Sequence, residues 1–194
     1  EGNNIRTMDD NEAIFAIATL EDRFPRQFGI HDLNQFLSAH SLMKEPEIEF
    51  EEDHISMTSD GAKLKFFYAN ERHLPTPPGD NINLPKSVMK FKLEKGVLET
   101  LLKACAVMKI STMYMSENGI ICRNPDDDGH EYKPSIGSID VDQDMDLTGK
   151  VYCLELEALK IIPNTYDVVV TPVAIRMTSE SGDIEYVVML NSSK

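Results

Sequence analysis

A gapless internal repeat is the feature of this 194-residue sequence that most constrains its fold. The segment HISMTSDGAKLKFFY, which begins at His54, aligns with AIRMTSESGDIEYVV, which begins at Ala174, and isoleucine, methionine, threonine and serine recur in place. Upstream of both copies the patterns predict the same order of elements, with a strand, a short helix and a stop at proline. Self-similarity of this kind indicates a duplicated structural unit. We therefore expect an α+β chain built from two related halves.

The stretch between the two halves is rich in residues that interrupt regular structure. Residues 70–86 contain four prolines and a glycine, and we interpret them as an extended interdomain linker. This predicts a first domain over residues 1–69 and a second domain over residues 87–194. The second half opens with a strand and a helix that have no counterpart in the first half. We therefore expect the first domain to lack its opening strand and helix at a truncated N-terminus.

Apolar periodicity predicts three helices, and alternation of apolar and polar residues predicts the strands. The helices cover residues 32–42, with Asp32 as the N-cap, residues 94–108, and residues 155–162. The predicted strands cover residues 4–8, 12–20, 26–30, 47–51, 54–59, 63–68, 87–93, 112–115, 119–123, 135–142, 150–154, 166–171, 174–179 and 184–190.

Positive charge is concentrated in one stretch of a chain whose formal net charge is -14. Residues 86–109 hold six of the nineteen basic side chains and only two acids. On the predicted helix, Lys95 and Lys103 lie away from the face that carries Leu98 and Leu101. Such lysines either solvate the helix or contact nucleic-acid phosphates without regard to base sequence. Because no aromatic residues are interleaved, base-specific readout and single-strand stacking are not expected.

Residues 140–146 form an acidic stretch and are the first candidate for a metal site. Four aspartates stand there at alternate positions, Asp140, Asp142, Asp144 and Asp146. A calcium loop would need glycine where Met145 stands and glutamate where Val151 stands. We therefore interpret the alternation as one face of a strand. Three further candidate ligands, Asp126, Asp128 and His130, lie in a stretch with turn composition. No metal site and no cofactor is predicted.

The residues that could carry catalysis or mark a compartment are few. The five histidines are scattered, and neither a nucleophile elbow nor a glycine-rich phosphate loop is present, so we expect a protein that is not an enzyme. Three widely spaced cysteines within apolar runs favour reduced thiols in a cytosolic compartment. No apolar run is long enough for a membrane span, and no signal peptide is recognised. We expect a cytoplasmic protein without a membrane partner.

Four segments resemble the DNA sliding-clamp family, most closely the clamps of T-even-like bacteriophages. They are FGIHDLNQFLSAHSL from Phe28, LPKSVMKFKLEKGVLETLLK from Leu84, ALKIIPNTYDVVV from Ala158 and EYVVML from Glu185. The resemblance implies a duplicated clamp fold, in which each domain has antiparallel sheets outside and helices inside. It further implies a head-to-tail homotrimer that encircles duplex DNA, tethers the replicative DNA polymerase and is loaded by an ATP-driven clamp loader. The expected location is then the cytoplasm of an infected bacterial host.

The resemblance also implies site residues. Those placed toward the central hole and its DNA are Lys95, Lys103 and Lys160, with Lys109 and Lys150 less clearly placed. Those expected to form a pocket for a short hydrophobic peptide of a partner are Met8, Phe15, Ile82, Leu84, Pro172, Met189 and Leu190. Ordinary packing in the core or the linker remains the alternative for each pocket residue.

Complementary charges suggest how subunits would pair. In the family, the last strand of domain one pairs with a strand of the next subunit, here residues 63–68 against residues 135–142. The first strand carries Lys63 and Lys65, and the second carries Asp140 and Asp142. We therefore expect these four side chains at the subunit interface.

Two other functions remain open on the sequence. One is a duplicated acidic scaffold that binds proteins and does not encircle DNA. The other is a metal-dependent enzyme that uses the aspartates from Asp140 onward.

Overall fold

The computed structural model describes residues 2–9, 11–74, 82–125, 129–144 and 147–191. The strands, in chain order, are β1 Gly2–Met8, β2 Ile14–Phe24, β3 Glu47–Phe50, β4 His54–Ser59, β5 Ala62–Phe67, β6 Met89–Leu93, β7 Thr112–Ser116, β8 Gly119–Arg123, β9 Glu131–Tyr132, β10 Ile139–Val141, β11 Tyr152–Glu155, β12 Tyr166–Val170, β13 Ala174–Ser179 and β14 Ile184–Met189. The helices are α1 Leu33–Ser41 and α2 Lys95–Met108, with short 3-10 helices at Glu71–His73 and Leu156–Leu159. Within these ranges, no helix has the length and apolar character that crossing a membrane requires.

The strands of the described residues form three antiparallel sheets. The largest has the order β1-β2-β14-β13-β12-β6-β10, the second β11-β7-β8-β9, and the third β3-β4-β5. Strands from both ends of the sequence therefore meet in one sheet, because β2 pairs with β14, with Ile14 opposite Val188 and Phe15 opposite Val187.

Clustering of contacts divides the chain into two compact units. One comprises Glu1–Asn4 with Leu20–Pro77, and the other comprises Ile5–Thr19 with Pro78–Lys194. The division predicted from the sequence, with domains at 1–69 and 87–194 and a linker at 70–86, stays a prediction. Residues 75–81 of this linker lie outside the described ranges. The N-terminal strands do not follow the predicted division. Most of β1 and β2 belongs with the second half, because β2 makes its ladder with β14.

The repeat found in the sequence corresponds to two hairpins of the same kind. In the first, β4 pairs with β5, and in the second, β13 pairs with β14. Ile55 and Met57 of β4 and Ile175 and Met177 of β13 are each almost completely buried. Both connecting turns contain a glycine with positive φ, a conformation that costs other residues more. The recurring isoleucine and methionine are thus the inward-facing positions of equivalent strands.

The core of the larger unit forms around α2. Leu98, Leu101 and Cys105 lie on one helical stripe, are buried, and share a hydrophobic cluster with residues of β6, β7, β8, β12 and β13. At the start of α2, the Lys95 N–H donates to the hydroxyl of Thr165 (3.1 Å). At its end, Lys109 adopts a left-handed conformation and its carbonyl accepts a hydrogen bond from the Asn124 side chain (3.0 Å).

The smaller unit packs largely through aromatic side chains. Phe24, Phe28, Phe50 and Tyr68 contact one another with ring centroids 5.3 to 6.1 Å apart. The α1 helix starts at the predicted cap, where the Gln35 N–H donates to the Asp32 carboxylate (2.8 Å). No residue of α1 is fully buried.

Three predicted elements differ in the structure. Residues 26–30 form no strand, and β10 is three residues long, because Pro134 and Gly137 interrupt the segment before it. The helix predicted at 155–162 is the 3-10 helix Leu156–Leu159, whose two buried leucines stand three residues apart, the repeat of that helix. The two-residue strand β9 was not predicted, since so short a strand carries no periodic signal.

Replacing Leu101 with alanine tests the packing of α2. Leu101 is 0% exposed, so Leu101→Ala leaves a cavity and is expected to lower the free energy of unfolding by about 2–5 kcal/mol. Val107 of the same helix is 84% exposed, so Val107→Ala is the matched control and should change that free energy by less than about 0.5 kcal/mol. Urea denaturation followed by circular dichroism measures both. Equal effects of the two substitutions would contradict the orientation of α2.

Candidate functional site

The largest sheet has two faces of different character. One face carries the hydrophobic cluster and packs against α2. On the other, which we call the outer face, directly paired residues form a row across six strands: Phe15, Val187, Arg176, Val169, Lys90 and Asp140. Because paired residues point the same way, these side chains share that face. The α2 side and the outer face therefore carry different candidate sites.

Three of the five lysines proposed for DNA lie on α2 or at its end. Lys95 and Lys103 are exposed on α2, and Lys109 is exposed at its end. Lys150 follows a turn and Lys160 follows the 3-10 helix, so the structure places these two on separate segments, both exposed. The lysines of the stretch 86–109 are therefore divided between two surfaces. Lys90 and Lys92 of β6 point to the outer face, as strand alternation predicts.

Local acids neutralise some of these cations but not others. Lys160 pairs with Glu157 (2.6 Å), and Lys92 pairs with Glu180 (2.9 Å). Among the ion pairs between described residues, none involves Lys95, Lys103 or Lys109. The cations of α2 are thus available to an external anion, as is Lys150, which forms no ion pair among the described residues either.

The predicted pocket residues fall into three groups. Phe15 and Met189 lie on the outer face, where Met189 is exposed. Met8 ends the neighbouring strand β1, and Ile82 and Leu84 lie half-buried in the segment that precedes β6. The remaining two differ: Leu190 packs against the hydrophobic cluster, and Pro172 is exposed in the β12–β13 turn.

Sequence reasoning missed Arg176 as part of this surface. Its Nη2 donates to the carbonyl oxygen of Ile82 (2.6 Å), and its Nε lies 3.5 Å from a carboxylate oxygen of Glu185. Because side chains alternate along β13, Arg176 points away from the core that Ile175 and Met177 face, and this could be predicted from the sequence. Its hydrogen bond to a carbonyl 94 positions away could not be predicted, since main-chain acceptors leave no trace in a sequence.

The aspartates from Asp140 onward do not form one face of a strand, contrary to the prediction. Only Asp140 lies in β10, and after it the chain turns, with the Asp144 N–H donating to the Asp142 carboxylate (3.0 Å). Lys86 reaches both acids, 3.0 Å from Asp142 and 3.3 Å from Asp144. This contact lowers the pKa of the Asp142 carboxyl and raises the pKa of Lys86. Asp146 lies outside the described residues.

The residues predicted for the subunit interface lie on the edges of two sheets. Lys63 and Lys65 are exposed on β5, the edge of the β3-β4-β5 sheet, and Asp140 is exposed on β10, an edge of the largest sheet, as these sheets run in the described ranges. Asp142 is already paired with Lys86. Beside β10 lies a groove of about 650 Å³, lined by Ile120, Ile121, Pro134, Ile136 and Ile139 with polar neighbours.

Metal chemistry finds no support in the part of the chain that the structure describes. No three histidine, cysteine, aspartate or glutamate side chains come together there to hold an ion. His130 is exposed, and the other loop candidates, Asp126 and Asp128, lie outside the described residues. The three thiols are reduced, and burial raises the pKa of each, which disfavours the reactive thiolate.

Comparison with known proteins finds one fold throughout. A sliding clamp of Vibrio phage KVP40 is 30% identical over 185 residues, which cover 90% of this chain and 81% of the relative. A. fulgidus PCNA, solved with the C-terminal region of FEN-1, superposes with a TM-score of 0.66 at 13% identity and covers 100% of this chain and 86% of its own. The DNA polymerase beta subunit of Streptococcus pyogenes gives 0.68 at 12% identity, covering 99% and 58%. No family model matches the sequence.

Proposed function

The chain belongs to the DNA sliding clamp family and acts as a DNA polymerase processivity factor, and we propose that it does so as a ring of identical subunits around duplex DNA. The observation that carries the proposal is the division of α2. Its apolar stripe is buried in the core, and its lysines, which have no acidic partner among the described residues, face outward. A helix of this kind can line a hole that DNA passes through.

Sliding requires contacts that are weak and independent of base sequence. Lysines attract phosphates by charge and release counterions, so that the bound state is about equally favourable at every position along the duplex. Lys95 and Lys103 of α2 are the strongest candidates, with Lys109 next. Lys160 is a weaker candidate, since Glu157 pairs with it, and Lys150 lies on a segment separate from α2. The net charge of -14 would disfavour DNA on other surfaces.

Partner proteins would bind on the outer face. The A. fulgidus PCNA structure holds the C-terminal region of FEN-1, which is a tail bound by a clamp of this fold. In this chain, Phe15, Met189, Ile82 and Leu84 provide apolar side chains on or beside the outer face. We propose that they bind a short hydrophobic tail of the DNA polymerase, and that the clamp loader uses the same surface.

Subunits would join through the sheet edges. The exposed lysines of β5 and the exposed Asp140 of β10 have opposite charges, and both strands are edges of their sheets in the described ranges, where an edge can pair with another chain. Phe67, at the end of β5, is 61% exposed and could enter the apolar groove beside β10. The proposal is a head-to-tail homotrimer without catalytic residues or cofactor, in the cytoplasm of an infected bacterium.

The DNA contact is tested by reversing charge on α2. Lys95→Glu with Lys103→Glu should shorten the products of loader-dependent primer extension on a long circular template. It should also reduce the slope of log binding constant against log salt by about 0.9 for each lost phosphate contact. The matched control for the salt slope is Lys90→Glu with Lys92→Glu, which makes the same change on the outer face and should leave that slope unchanged even where partner binding suffers. An equal loss of salt slope in both double variants would contradict the DNA-facing role of α2.

The partner pocket is tested by adding charge to it. Met8→Asp with Leu84→Asp should abolish binding of a polymerase tail peptide in calorimetry, because an unpaired carboxylate is costly in an apolar contact. Val107→Asp with Ile162→Asp places the same charges at exposed apolar positions elsewhere and should leave affinity unchanged. Circular dichroism verifies the fold of each variant. Unchanged affinity in the first variant would refute the pocket.

The ring is tested by sedimentation velocity. The unmodified chain should sediment with an apparent mass near three times 21.9 kDa, and the double variant Lys63→Glu with Lys65→Glu should sediment as a monomer. Adding Asp140→Lys to that double variant should restore part of the trimer, because the opposite charges face each other again. A trimer that persists in the double variant would overturn the proposed pairing.

A further inference from the structure

We propose that Arg176 is a positioning residue for the partner-binding surface, and that with Lys86 it ties the chain segment 82–86 across the outer face of the largest sheet. The inference rests on the proposed function, since it concerns the surface offered to a partner's tail. The side chains of Arg176 and Lys86 would hold the apolar Ile82 and Leu84 in place before a partner binds.

Arg176 holds the first end of the segment. It stands in the middle of the outer face, in register between Val187 and Val169. Its guanidinium donates to the carbonyl oxygen of Ile82 (2.6 Å), and Glu185 on the next strand lies 3.5 Å from its Nε. The side chain is only 31% exposed, so this hydrogen bond competes with little water. An arginine held by its own sheet thus fixes a main-chain atom of the segment.

Lys86 holds the second end. Its ammonium lies 3.0 Å from the Asp142 carboxylate and 3.3 Å from that of Asp144. Asp142 is itself anchored, since its N–H donates to the carbonyl of Val88 (3.1 Å), next to β6. The Val88 N–H in turn donates to the carbonyl of Val170 (2.8 Å). The second tie is therefore fixed to the edge of the same sheet.

The two ties set the course of the segment. Arg176 holds Ile82 at β13, whereas the chain beyond Lys86 enters β6 at Met89, and β12 lies between β13 and β6. The segment therefore runs across β12, over two interstrand spacings, or about 10 Å. Pro85 restricts its conformation further. Leu84 is confined between the ties.

Confinement of this kind favours binding. A free segment would lose conformational entropy when a partner orders it, whereas a segment already held in place loses less. Apparent affinity scales with the fraction of molecules in the competent arrangement. Removing the Arg176 bond should therefore weaken binding of a tail without removing any contact to that tail.

Backbone 15N order parameters of the full chain test the tie without any ligand. In Arg176→Met, the order parameters of Asn83, Leu84 and Lys86 should fall from the rigid range, about 0.85, toward the flexible range, below about 0.6, while those of β13 and β14 stay unchanged. Lys86→Met should lower them less, because an exposed ion pair contributes little. Arg176→Lys should restore part of the order. Lys92→Met, which removes a cation from the same face, is the control and should change nothing.

Calorimetry with a synthetic peptide of the last twelve or so residues of the DNA polymerase of the same genome tests the consequence. Arg176→Met should weaken binding about threefold to tenfold and Lys86→Met by less, with Lys92→Met unaffected. Unchanged order parameters at residues 83–86, or a fall across the whole sheet, overturn the tie. Lower order parameters with unchanged or tighter peptide binding overturn its role in recognition. A peptide that fails to bind the unmodified chain overturns the proposed binding of the polymerase tail, while the order parameters still decide the tie.

Discussion

The packing of α2 against the sheets is the interaction on which the rest of the larger unit depends. Burial of Leu98, Leu101 and Cys105 sets the rotation of the helix, and this rotation alone sends Lys95 and Lys103 outward. The same contact defines which face of the largest sheet is the core, so that the opposite face is free for other uses. One apolar stripe on one helix thus separates a cationic surface from the outer face, where we propose that partners bind.

On the outer face, charged side chains hold a segment that carries apolar residues. Val187 is buried there and Met189 is exposed, yet the segment that crosses beside them is held by polar contacts, from Arg176 and from Lys86. Hydrogen bonds and ion pairs of charged groups form between particular atoms, so they fix the position of a segment. Apolar contacts are non-directional and allow the segment to shift. The acidic composition of the chain is used here as well, because Asp142 and Asp144 hold Lys86 in place.

Much of the fold was predictable because its signals are local. The repeat around His54 and Ala174, the cap at Asp32 and the stripe of α2 each arise from neighbours in the sequence, and all three appear in the structure. Predictions failed where the pattern was short or had two interpretations. The alternating aspartates fit the pattern of a strand, but β10 ends at Val141 because the chain then turns, with the Asp144 N–H bonded to the Asp142 carboxylate, and the Leu156 turn is too short for an α-helix.

The sequence by itself determined the duplication, the positions of the helix lysines relative to the α2 stripe, and the resemblance to a family, since each depends on the order of residues alone. Only the tertiary structure decided that β2 completes the sheet of the second half, that Arg176 meets the carbonyl of Ile82, and that Lys86 meets Asp142. These contacts join groups far apart in sequence through main-chain acceptors and sheet edges. No periodicity encodes such pairings, because they exist only after the sheet has formed.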